Sequence, residues 1–186
     1  MTIIKKKYYL YIEKSDELDL SLIKRKNKFA VIYRNNRNKE KISNLIKFRN
    51  NCRNRGVKLY IANNVKLFNK CKADGLYISA YNKKYYHMNS VDLIGSAHNF
   101  KDIKYKIKQG CKTIILSRLF RTDYRTKKTY YGLIKFNLFI KKFKLPIVAL
   151  GGIRLENLNK LNFLNSYGFA ILSEIKKKPA IISRLF

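Results

Sequence analysis

The sequence predicts a compact (β/α)8 TIM barrel with trimmed helices, built as one domain over residues 1–186. Eight short runs rich in Ile, Val, Leu, Tyr or Phe follow one another along the chain, and stretches of helical spacing separate most of them. Such alternation is typical of parallel strands joined by helical crossovers, and eight units close into a barrel. An open doubly wound sheet is the alternative. We expect short helices because a typical barrel of this class has ~250 residues.

The predicted strands are short and rich in Ile, Val, Leu, Tyr or Phe, and the last two are fully apolar, which is typical of strands buried on both faces of a parallel sheet. They occupy residues 8–12, 29–33, 58–62, 75–79, 93–96, 113–116, 147–150 and 169–172. Gly151 and Gly152 follow the seventh strand, and Ser173 follows the eighth. Backbone N–H groups of two adjacent strand–helix loops can bind a phosphate at this end of a barrel. These three small residues therefore predict a phosphate-binding cup, and a tight turn beside a surface hydroxyl is the alternative.

Helical spacing of apolar residues predicts helices between most of the strands. They occupy residues 39–55, 65–72, 100–109, 132–143 and 155–164. Asn99 is a suitable N-cap for the third helix, and Gly110 is a suitable terminator. The fourth helix must end before Leu145, because the residue ahead of Pro146 avoids helical backbone angles. Residues 80–92 show no helical spacing and predict a loop after the fourth strand.

The chain is strongly basic, with 42 Lys and Arg residues against 11 Asp and Glu residues and a formal net charge of +31. A nucleic-acid-associated protein is one interpretation, and drift toward A/T-rich codons is another. The basic residues are spread along the whole chain rather than gathered in one segment, which does not favour dedicated nucleic-acid binding. We expect the charge to accelerate association with small phosphorylated ligands.

Three cysteines, Cys52, Cys71 and Cys111, are scattered along the chain and lack the spacing of a metal site. They predict free thiols and a reducing compartment. No apolar run reaches the ~18 residues of a membrane span, and the N-terminal apolar runs are shorter than the core of a signal peptide. The sequence therefore predicts a soluble cytoplasmic protein that does not bind membranes, and it leaves the oligomeric state open.

Six segments of the chain resemble, in the same order, segments of thiamine phosphate synthase and its TenI-like relatives. Asn63 and Asn64 end the segment Tyr-Ile-Ala-Asn-Asn, which is similar to the family's strand ending in Asn-Asp. Residues 115–122, Ile-Leu-Ser-Arg-Leu-Phe-Arg-Thr, are similar to its Gly-Pro-Val-Phe-x-Thr loop. The other similar segments are residues 72–78, 94–99, 145–153 and 168–175. By this resemblance the chain is identified as a divergent member of the family.

The resemblance implies an enzyme of thiamine biosynthesis. Such a transferase couples hydroxymethylpyrimidine diphosphate with thiazole phosphate and releases pyrophosphate. In that family the pyrimidine departs as a stabilised cation, and the thiazole nitrogen captures it. Magnesium and basic residues neutralise the departing pyrophosphate, so catalysis is electrostatic and positional and needs little help from a protein nucleophile.

The resemblance also implies roles for particular residues. It implies three catalytic residues. Arg34 would clamp the diphosphate, Ser96 would contact the substrate, and Thr122 would lie in the loop that closes over the diphosphate. The substrate-binding residues that it implies are Asn63, His98, Gly151, Gly152, Ser173 and Ile175. Gly151, Gly152 and Ser173 would bind the thiazole phosphate.

The implied magnesium site departs from the family pattern. Asn64 stands where the family has a magnesium-binding Asp, and residues 79–84 contain no second acidic ligand. Mg²⁺ prefers carboxylates together with substrate phosphates, so the sequence assigns no metal ligand. The basic loop 118–128 offers cations that could partly replace the metal. The alternative function is a catalytically impaired, phosphate-binding paralogue. Tautomerase chemistry is disfavoured, because Arg118 stands where TenI-type tautomerases have a His.

Overall fold

The computed structural model describes residues 6–23, 27–35, 40–88, 90–122 and 129–171. Its strands are β1 (Lys7–Ile12), β2 (Phe29–Tyr33), β3 (Lys58–Ala62), β4 (Gly75–Ile78), β5 (Asp92–Ala97), β6 (Thr113–Ser117), β7 (Ile147–Leu150) and β8 (Gly168–Ile171). Its α-helices are α1 (Ile42–Asn54), α2 (Val65–Cys71), α3 (Phe100–Lys108) and α4 (Gly132–Ile140). Every strand that the sequence predicts is therefore confirmed, with ends that shift by at most one residue.

The strands form one closed barrel in which each strand pairs in parallel with the next, and β8 returns to pair with β1. Tyr8 marks this closure, because it lies opposite Phe29 of β2 and Phe169 of β8. Its ring stacks on Phe29 at 4.7 Å between centroids and meets Phe169 edge-on at 5.0 Å. The closure confirms the predicted barrel and excludes an open sheet. Because all strands are parallel, their carboxyl ends share one rim.

Side chains alternate along each strand between the outside of the barrel, where they pack under helices and connecting segments, and its interior. Large tyrosine rings occupy much of the interior and are balanced by small residues. The buried interior residues are Tyr9, Tyr11, Ala30, Ile32, Tyr60, Tyr77, Ile94, Ile115, Val148 and Ala170. Tyr11 and Tyr77 pack edge-on at 5.6 Å, so bulky rings fill the barrel beneath the carboxyl rim.

The connection between β7 and β8 differs from the predicted α-helix. Residues Leu155–Phe163 form a 3₁₀ helix. Leucines recur there every three residues, at 155, 158 and 161, which matches the three residues per turn of a 3₁₀ helix. Leu158 and Leu161 are accordingly buried on one side. The connection from β1 to β2 is also shortened, because it contains the 3₁₀ turns Ser15–Glu17 and Leu20–Leu22.

The α-helices follow the predicted positions with shorter ends. Asn99 caps α3 as expected, since its Oδ1 accepts the N–H of Asp102 at 2.9 Å. α4 ends at Ile140, three residues earlier than residue 143 of the predicted helix. Together with the 3₁₀ connections, these short helices explain how 186 residues suffice for a complete barrel.

No helix follows β4 in the described residues 79–88 and 90–91, as the sequence predicts. The fully buried Lys106 of α3 holds this connection, because its Nζ donates to Asn82 O and to Gln109 Oε1, each at 2.8 Å. Gln109 Nε2 in turn donates to Lys84 O at 2.6 Å. The Lys106 stem lies against Gly95, where a Cβ would come within 2.8 Å of it. Hydrogen bonds from Lys106 and Gln109 therefore fix the loop after β4, which forms part of the rim.

The cysteines agree with the prediction of free thiols, since Cys52, Cys71 and Cys111 are buried and unpaired by disulfides. Among the described residues, no helix has the length and apolar character needed to cross a lipid bilayer.

Candidate functional site

The predicted site residues that the structure describes follow the carboxyl ends of different strands, except Ser96, which lies within β5. Arg34 follows β2, and Asn63 and Asn64 follow β3. His98 follows β5, Thr122 lies in the loop after β6, and Gly151 and Gly152 follow β7. The parallel topology therefore brings these residues to one rim. Ser173, Ile175 and loop residues 123–128 lie outside the described residues, so their predicted roles stay predictions.

Arg34 is held at the rim by a partner that the sequence did not indicate. Its Nη2 donates a hydrogen bond of 3.1 Å to Oη of Tyr81, which lies in the loop after β4. Its backbone N–H donates to Ile12 O at 2.8 Å, which continues the pairing of β1 with β2. Burial acts to lower the pKa of Arg34, but Tyr77, Tyr81 and Tyr11 raise it overall, so the guanidinium stays charged. The side chain is half-buried and fixed in direction.

Three buried side-chain polar atoms of the described residues have no hydrogen-bond partner: Tyr11 Oη, Arg34 Nε and Thr122 Oγ1. All three residues lie at or beyond the carboxyl ends of their strands, and two of them are predicted catalytic residues. Buried polar groups are almost always paired, because an unpaired one costs about 1–3 kcal/mol. Their collection at one rim points to a polar ligand that would complete them.

The tyrosines beneath Arg34 supply neutral hydroxyl groups. Burial raises the pKa of Tyr11 well above its usual value. Burial also raises the pKa of Tyr77, against the lowering effects of Ser96, Tyr11 and Arg34. Both hydroxyls therefore keep their protons at neutral pH, and they lie close enough to interact with each other. Ser96 is buried beside Tyr77, so this predicted catalytic hydroxyl belongs to the floor of the site.

The two glycines after β7 have backbone conformations that favour glycine, with φ of +102° at Gly151 and +67° at Gly152. Both lie against the loop after β6. A Cβ on Gly151 would come within 2.5 Å of Arg118 Cγ, and one on Gly152 within 2.3 Å of Arg121 O. The N–H of Phe120 donates to Gly151 O at 3.0 Å, which ties the two loops together. The cup predicted from the sequence is therefore a close-packed backbone junction between β6 and β7.

Arg118 covers this junction. Its side chain packs on Gly151, and its Nη1 donates to Thr129 O at 3.2 Å. The peptide bond between Ser117 and Arg118 is cis. The close packing of the Arg118 stem on Gly151, and of Arg121 O and Phe120 on Gly152, explains why these two positions need glycine.

His98 is anchored by contacts on three sides. Its Nδ1 lies 2.7 Å from Oγ of Ser117 at the end of β6. Its backbone N–H donates to Asp102 Oδ2 at 3.0 Å, and its carbonyl accepts the hydroxyl of Tyr131 at 3.2 Å. The ring is exposed and faces the neighbouring strand end, which is compatible with its predicted substrate contact. Sequence reasoning missed Ser117, although it shares the inward-facing parity of Ile115 on β6.

Asn63 joins the ends of β3 and β4. Its Oδ1 accepts the N–H of Ser79 at 3.0 Å and Nδ2 of Asn82 at 2.8 Å, and its Nδ2 donates to Ser79 Oγ at 3.0 Å. Its φ of +56° is a conformation that asparagine adopts more readily than most residues. The amide is thus committed to neighbouring loops, and its contribution to a ligand site is to position them.

Asn64 is the N-cap of α2, because its Oδ1 accepts the N–H of Leu67 at 2.9 Å. The amide oxygen at the position where the family has a metal-binding Asp is therefore engaged in capping α2. No group of three or more His, Cys, Asp and Glu side chains that could hold a metal occurs in the part of the chain that the structure describes. The residues after β3 and β4 offer amides, hydroxyls and lysines, which do not fit the carboxylate preference of Mg²⁺.

The residues that sequence reasoning missed are mostly tyrosines. Tyr11 and Tyr77 could have been found from strand alternation, because they share the parity of inward-facing neighbours. Tyr81 lies in an irregular loop, and its contact with Arg34 follows from the path of that loop alone.

Comparison with protein families gives a match to a model described as thiamine monophosphate synthase, over residues 19–175. A thiamine-phosphate synthase of Flavobacterium johnsoniae is 31% identical over 100 residues, which are 49% of this chain and 47% of that protein. A curated relative from Aquifex aeolicus is 33% identical over 78 residues, 42% of each chain. The chain thus spans less than half the length of the curated relatives it matches.

Solved structures show the same fold over almost the whole chain. A thiamine phosphate pyrophosphorylase from Pyrococcus furiosus superposes with a TM-score of 0.72 at 16% identity, covering 98% of this chain and 97% of the other. One from Bacteroides thetaiotaomicron gives a TM-score of 0.65 at 14% identity, with coverage of 97% and 93%. At these identities the likeness extends to the barrel alone.

Proposed function

Because the chain belongs to the thiamine monophosphate synthase family, we propose that it couples hydroxymethylpyrimidine diphosphate with thiazole phosphate to give thiamine phosphate and pyrophosphate. The substrates would be small and phosphorylated, in keeping with the net charge of +31. The reaction would take place in the cytoplasm, where the three buried thiols stay reduced.

One observation carries the proposal more than any other. Arg34 Nε and Thr122 Oγ1 are buried donors without a partner among the described residues, and both belong to residues that the family resemblance assigns to the diphosphate. A diphosphate has several acceptor oxygens and would complete both groups. A residue kept only for stability would be expected to have its polar atoms paired.

The proposed chemistry needs charge stabilisation more than a nucleophile. The bond between the pyrimidine methylene carbon and the diphosphate oxygen breaks, and the diphosphate leaves with the electron pair. The thiazole nitrogen then donates its own pair to the methylene carbon. Arg34 would stabilise the charge on the leaving group, and its fixed direction means that little reorganisation is needed during the reaction.

The thiazole phosphate would bind at the junction of Gly151 and Gly152, with Ser173 as a further donor. Glycine allows a close approach of backbone N–H groups to an anion, and Arg118, whose stem packs on Gly151, would add a positive charge to this half of the site. The two halves of the proposed site thus lie after β2–β4 and after β6–β8 on the same rim.

The direct experiment incubates the 186-residue chain with both phosphorylated precursors and identifies the products by mass spectrometry. Thiamine phosphate and an equal amount of pyrophosphate are expected. Absence of product, with binding of the phosphorylated ligands retained in calorimetry, would contradict the proposal.

A second candidate is a phosphate-ligand-binding paralogue without turnover. The amide of Asn64, where the family has a magnesium-binding Asp, and the lack of an acidic residue in 79–84 favour it. This candidate predicts binding of both ligands and no product in the same experiment. The experiment therefore distinguishes the two functions.

A further inference from the structure

The rim around β3 and β4 is free of carboxylates. Between Lys41 and Val91 the sequence contains a single acidic residue, Asp74. Asp74 immediately precedes β4 at the opposite end of the barrel, where it pairs with Arg49 at 3.0 Å and accepts the N–H of Leu59 at 2.7 Å. It is therefore committed elsewhere and cannot serve a ligand at the carboxyl rim.

Glu40, the next acidic residue toward the N-terminus from Asp74, is also engaged in hydrogen bonds. Glu40 accepts the hydroxyl of Tyr33 at 2.7 Å and the backbone N–H of Ser15 at 3.1 Å. It thereby joins the connections after β1 and β2. A divalent cation at the ends of β3 and β4 would instead find Asn63, whose amide oxygen already accepts several hydrogen bonds, and Asn64, whose oxygen caps α2.

Positive charge and neutral donors take the place of carboxylates here. Arg34 is near enough to the buried tyrosines Tyr77 and Tyr11 to interact with them electrostatically, and Tyr81 holds it from the loop after β4 by a hydrogen bond. That loop continues with Lys83 and Lys84. A divalent cation placed among these groups would be repelled by like charge, whereas a diphosphate would be attracted and hydrogen-bonded.

We propose that the protein binds the diphosphate of its substrate without magnesium, through Arg34 and the hydroxyl donors around it. The proposal rests on the proposed function, since it concerns the leaving group of that reaction. Arg34 takes the role of the principal counter-charge, and Tyr81 acts as a positioning residue that fixes its direction. A metal-free mode follows from the donor set, because the described side chains that follow β3 and β4 at this rim offer N–H or O–H groups or amides and no carboxylate, and Glu40 after β2 is already hydrogen-bonded to Tyr33 and Ser15.

The test measures the affinity of the chain for inorganic pyrophosphate by calorimetry, once with EDTA and once with millimolar Mg²⁺. Moderate salt limits non-specific attraction to the basic surface. Arg34→Gln removes the proposed counter-charge, and Arg53→Gln removes an exposed guanidinium of α1 as the matched control. Tyr81→Phe provides a second variant that leaves the packing of Arg34 in place, should Arg34→Gln fold poorly.

Pyrophosphate is expected to bind in EDTA with an affinity that does not rise when Mg²⁺ is added. Arg34→Gln should weaken this binding about tenfold or more, whereas Arg53→Gln should leave it within about twofold. A tenfold or greater gain in affinity with Mg²⁺ would overturn the proposal, and so would equal losses in the two arginine variants.

The result also separates this inference from the proposed function. Product formation that stops in EDTA would overturn the metal-free mode and leave the synthase reaction standing. Metal-free pyrophosphate binding through Arg34 without any product would leave the binding mode standing and remove the reaction.

Discussion

Arg34 and Tyr81 connect the carboxyl ends of β2 and β4, because Nη2 of Arg34 donates a 3.1 Å hydrogen bond to Tyr81 Oη. The ring of Tyr81 is 68% exposed, so little packing explains its position. The contact aims a half-buried guanidinium whose Nε has no partner among the described residues. A surface tyrosine and a buried arginine donor thus form one unit of the proposed site.

Tyr81→Phe should weaken pyrophosphate binding by a few-fold, since it removes one hydrogen bond and little packing. The same change in the Arg34→Gln background should have no further effect, because Tyr81 acts through Arg34. A double-mutant cycle on pyrophosphate affinity measures this coupling. Additive losses would show that Tyr81 contacts the ligand independently.

Thr122→Val should leave the free energy of unfolding within about 0.5 kcal/mol of the original, because the hydroxyl that it removes has no partner. The KM for the pyrimidine diphosphate should rise, since that hydroxyl is proposed to donate to the diphosphate. Thr113→Val, at the opposite end of β6, is the matched control. A loss of stability without a change in KM would assign Thr122 a structural role.

Gly152→Ala and Gly132→Ala separate backbone strain from steric exclusion, because the two glycines have nearly equal φ values of +67° and +68°. A Cβ at 152 would meet Arg121 O at 2.3 Å, whereas a Cβ at 132 meets nothing within 4 Å. Gly132→Ala should cost about 1–2 kcal/mol of unfolding free energy through its backbone angle alone. Gly152→Ala should cost more and should weaken thiazole phosphate binding.

Urea denaturation measures the unfolding free energy of the two glycine variants, and calorimetry measures their binding of thiazole phosphate. Equal losses of stability in the two glycine variants, with unchanged phosphate binding, would show that the glycines after β7 form an ordinary turn.

Lys106 gives the protein a predictable pH dependence. Burial lowers the pKa of Lys106 from 10.5 to about 8. Between these values the unfolded chain holds a proton that the folded chain does not, so this group makes stability rise with pH in that window. Below this pH window Lys106 is protonated in both the folded and the unfolded chain, and burying its charge opposes folding by a constant amount.

The unfolding free energy of Lys106→Met relative to the original chain should therefore fall as pH increases from about 8 to 10.5, by up to about 1.4 kcal/mol per pH unit. Denaturant titrations at several pH values measure it, with exposed Lys101→Met of the same helix controlling for the lost charge. A difference that stays flat across the window would contradict a lowered pKa at this lysine.

The barrel was predictable because its strands are buried on both faces and stand out as apolar runs, whereas two local features were not. The 3₁₀ helix after β7 follows from the three-residue spacing of Leu155, Leu158 and Leu161, which is close enough to helical spacing to be read as an α-helix. The bridging role of Asn63 depends on where Ser79 lies across the rim, and one segment of sequence does not reveal this.

Some residues of the candidate site were likewise predictable from the sequence, and others were not. Arg34 and Thr122 were predicted from the family resemblance, and the glycines after β7 from the small residues that end an apolar run; the structure adds the contacts of Arg34 and of the glycines. Tyr11 was missed because aromatic residues in a barrel strand are first interpreted as core, and Tyr81 was missed because its contact with Arg34 depends on the path of the loop after β4. Ser173 and Ile175 lie outside the described residues and remain predictions.

The rate of thiamine phosphate formation by the chain and its Arg34→Gln and Arg53→Gln variants tests the central claim most directly. The chain should form thiamine phosphate, Arg34→Gln should lower kcat/KM roughly a hundredfold, and Arg53→Gln should change it by less than about twofold. No product from the original chain, or equal activity in the two variants, would contradict the account of Arg34 at the diphosphate.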